Sequence, residues 1–218
     1  MEMIKIARIK NREPGEVIKK EIIKATVEII IVKGFSNISL TDVANSIGIS
    51  KPALYWHFKN KDELFSDVIN YVRAEYLEKL REISKLESMN AYEKLLQIIG
   101  FSYQKTFDDL NICVLPMKML VEFSKENNNF GAILREFYAD GIEIIKGVLD
   151  EGIAAKMFKR NIDTWSFAMC LAGSMDGVLH QCILHSRCNT MEECNEQLFF
   201  KSIIENILMN EGRGKDEQ

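Results

Sequence analysis

SLTDVANSIGISKPALYWHFKNK, residues 39–61 of a 218-residue chain, carries most of the information in this sequence. Ser39 suits a helix N-cap, because its hydroxyl accepts from an early backbone N–H that has no intrahelical partner. Asp42 stands three residues on, where a capping box places an acceptor, although Glu or Gln is the usual choice there. Leu40, Val43, Ala44 and Ile47 then form the apolar face of a two-turn helix. Gly48 ends it in a left-handed residue, and Ile49 is expected to anchor the turn in the core. Ser50 caps the next helix, with Pro52 in its first turn, where a missing N–H does no harm. Leu54 and Phe58 are four apart and face inward, which leaves Ala53, Tyr55, Trp56 and His57 over the rest of that helix.

Two large aromatics and a histidine on the outside of so short a helix suit entry into a major groove with the first turn at the bases. Tyr55, Trp56 and His57 then donate hydrogen bonds to phosphates. A third helix follows, capped by Asn60 with Glu63 as the returning acceptor. Lys61 stands at its N-terminus, where a cation opposes the helix dipole; a solvated surface lysine is one reading, and in this setting an outside phosphate is the favoured partner.

The run from Gly34-Phe35 through SLTDVANSIGISKPALYWHFKNKDEL resembles the DNA-binding domain of TetR-family transcriptional regulators. The matching residues are Gly34, Phe35, Ser39, Val43, Ala44, Gly48, Ile49, Ser50, Leu54, Tyr55, His57, Phe58, Lys61 and Leu64. So many fixed spacings are far more specific than a bare helix-turn-helix pattern. The resemblance covers residues 16–75, and the remainder matches only in length and helical character. It departs at Ile38, where Thr or Val is frequent, and at Pro52, where Gly is common. The resemblance implies that Ser39, Tyr55, Trp56, His57 and Lys61 clamp phosphates, while Thr41, Ser50, Lys51 and Ala53 face bases. It also implies a homodimer paired through the last two long helices.

The bulk properties agree. Hydrophobic residues make up 47 % and charged ones 28 %, as in ordinary globular proteins, and three prolines with twelve glycines leave little room for a turn-rich all-β fold. Residues 1–62 carry 11 Lys/Arg against 7 Asp/Glu, a net +4, while the rest carries 17 against 25, a net −8. A basic end on an acidic body suits a protein that presents one end to a duplex. Lys5, Arg8, Lys10 and Arg12 form a basic arm; such arms are more often simply disordered tails, though they can reach a minor groove. The polar start is unlike a secretory signal and no run of 18 apolar residues occurs, so the expectation is a cytoplasmic protein with no membrane partner.

The expected fold class is all-α: an N-terminal three-helix helix-turn-helix DNA-binding domain and a C-terminal helical ligand-binding and dimerisation bundle. The expected boundaries are 1–14 for the arm, 15–75 for the DNA-binding domain, 76–212 for the bundle and 213–218 for a tail. The first helix carries a stripe of Val17, Ile18, Ile22, Ala25, Ile29 and Val32. The helix begun at Lys61 runs past Ile83 to a break at 88–90, and further helices follow near 91–109, 114–126, 129–154, 162–187 and 191–210. The last two are apolar beyond one stripe, so each must bury a second side. A four-helix homodimer interface does this, with small Gly173 and Gly177 allowing close approach and Phe199, Ile203 and Ile207 facing the partner.

Aromatic and methionine residues of the bundle are candidates for an adaptable apolar pocket. Phe101, Tyr103, Phe107, Met117, Met119 and Leu120 come from its first half. Phe123, Phe137, Tyr138, Trp165 and Met169 come from later, with Asp176 placed to orient a polar group of a ligand or to pair with a neighbouring cation. Each such residue also fits a plain core role. Five cysteines, Cys113, Cys170, Cys182, Cys188 and Cys194, are an odd number that points to reduced thiols. Cys182, His185 and Cys188, near His180 and Cys194, follow no zinc spacing, so no metal and no cofactor is assigned. The three histidines, His57, His180 and His185, have no nucleophile or carboxylate at a recognisable spacing, and enzymatic turnover is not expected. The function that follows is a dimeric regulator, most often a repressor, released from a palindromic DNA operator by a small, largely apolar effector. The alternative is a DNA-binding protein controlled by a protein partner, with no small-molecule switch.

Overall fold

The computed structural model describes residues 15–108, 110–123, 129–185 and 196–209. The architecture is all-α, with no strand among the described residues. The helices are α1 (Gly15–Lys33), α2 (Leu40–Ile47), α3 (Lys51–His57), α4 (Lys61–Ser84), α5 (Ala91–Asp108), α6 (Leu110–Phe123), α7 (Asn129–Ala154), α8 (Thr164–His185) and α9 (Glu196–Ile203), the last followed by a wider π turn over Ile204–Leu208. The basic arm and the tail lie outside the described residues. None of the described helices is long and apolar enough to cross a membrane.

The described residues divide into two compact units. The first comprises Met1–Ala74 with Asn111–Arg135, so α6 groups with the helix-turn-helix; the second comprises Glu75–Leu110 with Glu136–Gln218. Helix α4 begins in the first and ends in the second.

In the first unit the inward face of α1 differs from the expected stripe. Ile22, Ile23, Thr26, Val27 and Ile30 are buried, whereas Val17 lies outside and Val32 is 84 % exposed. The run IIKATVEIIIV is apolar nearly all round, so periodicity cannot choose its face and packing does. Thr26 is tolerated inside because its hydroxyl donates to the Ile22 carbonyl at 2.7 Å. Leu40, Val43, Ala44 and Ile47 of α2 are buried as expected, and Leu54 and Phe58 are fully so, while Ile49 is only partly covered. The ring of Phe35 meets that of Phe65 edge-on, with centroids 5.0 Å apart, and Phe65 in turn lies 6.2 Å from Phe130. Each such aromatic contributes roughly 1.5–3 kcal/mol by leaving water.

The second unit packs around Leu77, Leu80, Leu95, Ile98, Leu149, Phe158, Phe200, Ile204 and Leu208. Lys94 is 5 % exposed, and its ammonium meets both carboxylate oxygens of Glu151, at 2.9 and 2.8 Å. That pairing is what a buried cation requires, since the same group unpaired is costly in a low-dielectric core. Helix α5 starts in a reciprocal box: the Glu93 N–H donates to Asn90 Oδ1 at 3.0 Å, and the Asn90 N–H to Glu93 Oε2 at 2.8 Å. Beyond α7 the chain doubles back, with the N–H groups of Met157 and Phe158 both donating to the Gly152 carbonyl. This lays the buried Phe158 ring directly on Gly152, where a β-carbon would overlap it.

Gly152→Ala is therefore expected to cost about 1–3 kcal/mol, the typical penalty of forcing a methyl into a packed core. A thermal unfolding midpoint equal to that of the unsubstituted protein contradicts this packing. In a Phe158→Leu background the penalty of Gly152→Ala should shrink.

Candidate nucleic-acid interface

The reader is built from caps. Ser39 adopts an extended conformation (φ −110°, ψ 158°), and its hydroxyl accepts from the Asp42 N–H at 3.2 Å. The Asp42 carboxylate accepts from the Ser39 N–H at 2.9 Å, so aspartate closes a full box where only a partial one was expected. The Ser39 hydroxyl, then its N–H, and then Lys33 at 3.1 Å hold the Asp42 carboxyl down at about 2. Gly48 stops α2 in the left-handed region at φ 70°, a conformation that costs other residues energy. Ser50 caps α3 by accepting from the Ala53 N–H at 3.3 Å, with Lys51 and Pro52 as its first residues. Helix α4 opens with Asn60 Oδ1 accepting from the Glu63 N–H at 2.8 Å, while the Glu63 carboxylate returns to the Lys59 N–H at 2.7 Å.

These caps leave the expected contact residues outside. Thr41, Ser50, Lys51 and Ala53 are exposed; Tyr55 is 45 % and Trp56 77 % exposed. The Lys51 ammonium sits 5.8 Å from the Tyr55 ring centroid, placing a cation beside a phenol on the same helix. Trp56 stands edge-on to His57 at 4.8 Å and lies against the start of α1, where a β-carbon on Gly15 would be 3.5 Å away. His57 is partly buried, and first burial, then the nearby Lys19 charge, lower its pKa. Lys19 is itself paired with Asp67 at 2.6 Å and lies 5.4 Å from the Phe58 ring centroid.

Two expected phosphate donors already have partners within the protein. Ser39 serves its capping box, its hydroxyl also donating to Asp42 Oδ2 at 2.5 Å. The Lys61 ammonium reaches the Ser36 carbonyl at 3.5 Å and the Phe65 ring centroid at 5.0 Å. A cation set against the helix dipole thus has an intramolecular explanation besides a phosphate. Sequence reading missed the other holders of this region, Lys118 and Glu122 of α6. Lys118 donates to the Ile31 carbonyl, and Glu122 accepts from the Phe35 N–H at 3.3 Å and from the Ser36 hydroxyl. Nothing local signals a contact across more than 80 residues, beyond a Lys–Glu pair at i,i+4.

The expected pocket residues fall in different places. Tyr103 and Phe137 are buried, while Phe101, Tyr138 and Asp176 are partly covered. Tyr76 links several of them, with its ring 5.9 Å from Phe101 and 6.1 Å from Phe137, which lies 5.3 Å from Tyr138; its hydroxyl is 2.7 Å from that of Ser102. Burial and then the Asp176 charge push the Tyr138 phenol up, and burial raises the Asp176 carboxyl despite His180 nearby. Met117, Met119 and Leu120 belong to the first unit, with Met119 buried, Met117 partly covered and Leu120 exposed. The side chains of Phe107 and Phe123 lie outside the described residues.

Trp165 and Met169 are exposed, and they share one face of α8 with exposed Gly173 and Gly177 at four-residue spacing. Among the described residues, nothing beyond the helix's own neighbouring backbone lies within 4 Å of a β-carbon built on either glycine. On α9 and the turn after it, Phe199 and Ile207 are exposed and Ile203 is partly covered, again four apart. Cys170 is an exposed free thiol. Among the described residues no group of His, Cys, Asp and Glu is disposed to hold a metal ion. The side chains of Cys113, Cys182, His185, Cys188 and Cys194 lie outside them.

Residues 22–68 match the family model described as bacterial regulatory proteins, tetR family. An HTH-type transcriptional regulator of Bacillus subtilis, the uncharacterized YvaF, is 31 % identical over 159 residues, covering 73 % of this chain and 80 % of its own length. The fatty acid metabolism regulator protein of the same organism is 24 % identical over 156 residues, covering 72 % and 78 %. Among solved structures, the regulator FadR from Bacillus subtilis in complex with stearoyl-CoA superposes with a TM-score of 0.72 at 20 % identity, covering 85 % of this chain and 96 % of that one. Motif, fold and relatives agree: the chain belongs to the TetR family of bacterial regulatory proteins and is a DNA-binding transcriptional regulator.

Proposed function

We propose that the protein is a homodimeric repressor that leaves a palindromic operator when a small, largely apolar effector occupies its C-terminal domain. The observation that carries the DNA side is the outward display of Lys51, Tyr55 and Trp56 on α3, whose inner side is fixed by Leu54 and Phe58. Thr41, Ser50, Lys51 and Ala53 are assigned to base edges; Ser39, Tyr55, Trp56, His57 and Lys61 to phosphates. The partner surface is the open apolar face of α8 and α9, because exposed large hydrophobics in line on two helices mark an interaction site. A palindromic operator read at half-sites one helical turn apart asks for two recognition helices roughly 34–36 Å apart, related by the two-fold axis of such a dimer.

The effector reading rests on the aromatic group of Phe101, Phe137 and Tyr138 with Asp176 in the second unit. Among relatives, one is named for fatty acid metabolism and one solved structure holds stearoyl-CoA, so a long-chain acyl thioester is the first effector class to test. Its binding shifts the helix that begins at Lys61, and so the recognition helices. Swinging occupancy from nearly full to nearly empty takes about 5.5 kcal/mol of preference for the released state.

The deciding experiment is selection of bound sequences from a random duplex library at near-physiological salt, followed by release of the enriched duplex with stearoyl-CoA. An enriched palindrome supports the dimeric reader. Binding that only fades with salt, without enrichment, contradicts it and favours control by a protein partner. Tyr55→Phe and Lys61→Ala are expected to weaken enriched and random duplexes alike, Lys61→Ala with a salt slope shallower by about 1. Lys51→Ala should instead relax base preference at one position of each half-site, costing about 1–3 kcal/mol there. Gly173→Arg on the open face of α8 should yield monomers in sedimentation; a dimer that survives it places the interface elsewhere.

A further inference from the structure

The turn joining α1 to α2 is fastened from outside the helix-turn-helix. The Gly34 N–H returns to the Ile30 carbonyl at 2.8 Å, closing α1. The next N–H, that of the buried Phe35, donates to Glu122 Oε2 at 3.3 Å, and the Ser36 hydroxyl donates to the other oxygen of that carboxylate. The Ser36 carbonyl accepts from Lys61 at 3.5 Å. One turn earlier on α6, Lys118 donates to the Ile31 carbonyl in the last turn of α1, where a cation also complements the helix dipole. Lys118 and Glu122 are four apart and so adjoin on one side of α6. Phe35 cannot slip without unpacking its ring from Phe65, and three residues beyond Ser36 stands Ser39, the N-cap of α2.

We propose that Lys118 and Glu122 are positioning residues for DNA binding: they fasten α6 to the α1–α2 turn and thereby set where α2 and α3 stand. The contact residues of the reader lie between positions 39 and 61, whereas this pair acts on them through the turn. Pro116 lies inside α6 and has no N–H to bond the preceding turn, so a tilt of the stretch that follows it, carrying both residues, costs least at that point of the helix. A tilt there pulls on the carboxylate held by Phe35 and Ser36, and α2 follows. This inference rests on the DNA-binding role and adds residues that the motif does not contain.

The test compares Glu122→Ala with Glu122→Gln in the full chain, by affinity for the duplex enriched from the random library and by amide exchange over Leu40–His57. Both variants remove the same negative charge, which by attraction alone tightens DNA binding. Only Gln keeps an acceptor for the Phe35 N–H. The expected result is binding about tenfold weaker for Glu122→Ala, the scale of an ordinary coupling between sites. Glu122→Gln should stay at or above wild-type affinity, and exchange in α2 should quicken only in the Ala variant. Equal tightening by both, or wild-type exchange over Leu40–His57 in Glu122→Ala, overturns the assignment. Faster exchange that extends equally through α5 and α7 also overturns it, because it reports general destabilisation. If the wild-type chain enriches no duplex, the operator reading fails by itself, while the exchange comparison still decides the role of the pair.

Discussion

Helices of eight and seven residues do not persist in water, because nucleation costs more than two turns of hydrogen bonds return. Everything about the reader answers that constraint. Leu40, Val43, Ala44, Ile47, Leu54 and Phe58 hold α2 and α3 to the rest of the first unit. Ser39 with Asp42, and Ser50, satisfy backbone donors that such short helices would otherwise leave open. Gly48 makes the tight turn between them without strain. With the inner side so committed, Thr41, Lys51, Tyr55 and Trp56 are left on the outer side.

The electrostatics of the reader follow the same division. Lys33 pairs with Asp42 and Lys19 with Asp67, so part of the positive charge of this end is spent within the protein. Lys51, beside Tyr55 on the recognition helix, faces outward with its cation over an aromatic ring. Lys61 joins the two roles, since it holds the Ser36 carbonyl and begins the helix that continues into the second unit.

The second unit shows how apolar composition is shared between core and surface. Lys94 is accepted inside because Glu151 meets it with both oxygens. Conversely, Trp165, Met169, Phe199 and Ile207 stay outside although their types favour burial. On α8, Trp165 and Met169 share their four-residue spacing with the exposed Gly173 and Gly177. The ordinary core of this unit is made elsewhere, by Leu95, Ile98, Leu149, Phe158 and Phe200.

The sequence by itself determined the all-α class, the helix-turn-helix and its caps, because these depend on neighbours three and four residues apart. Gly48, Ser50, Pro52 and Phe58 have local roles that their chemistry states. Helices α5, α7 and α8 are likewise found within a few residues of their expected ends, while the end of the chain, expected as one helix, widens into a π turn after Ile203. Only the tertiary structure decided which face of α1 turns inward, since Ile22, Ile23, Ile29, Ile30 and Val32 supply more apolar surface than one core can take. It also decided that α6 belongs with the reader and that Lys118 and Glu122 close on a turn more than 80 residues earlier. Such contacts are long in sequence and short in space, and no spacing rule encodes them.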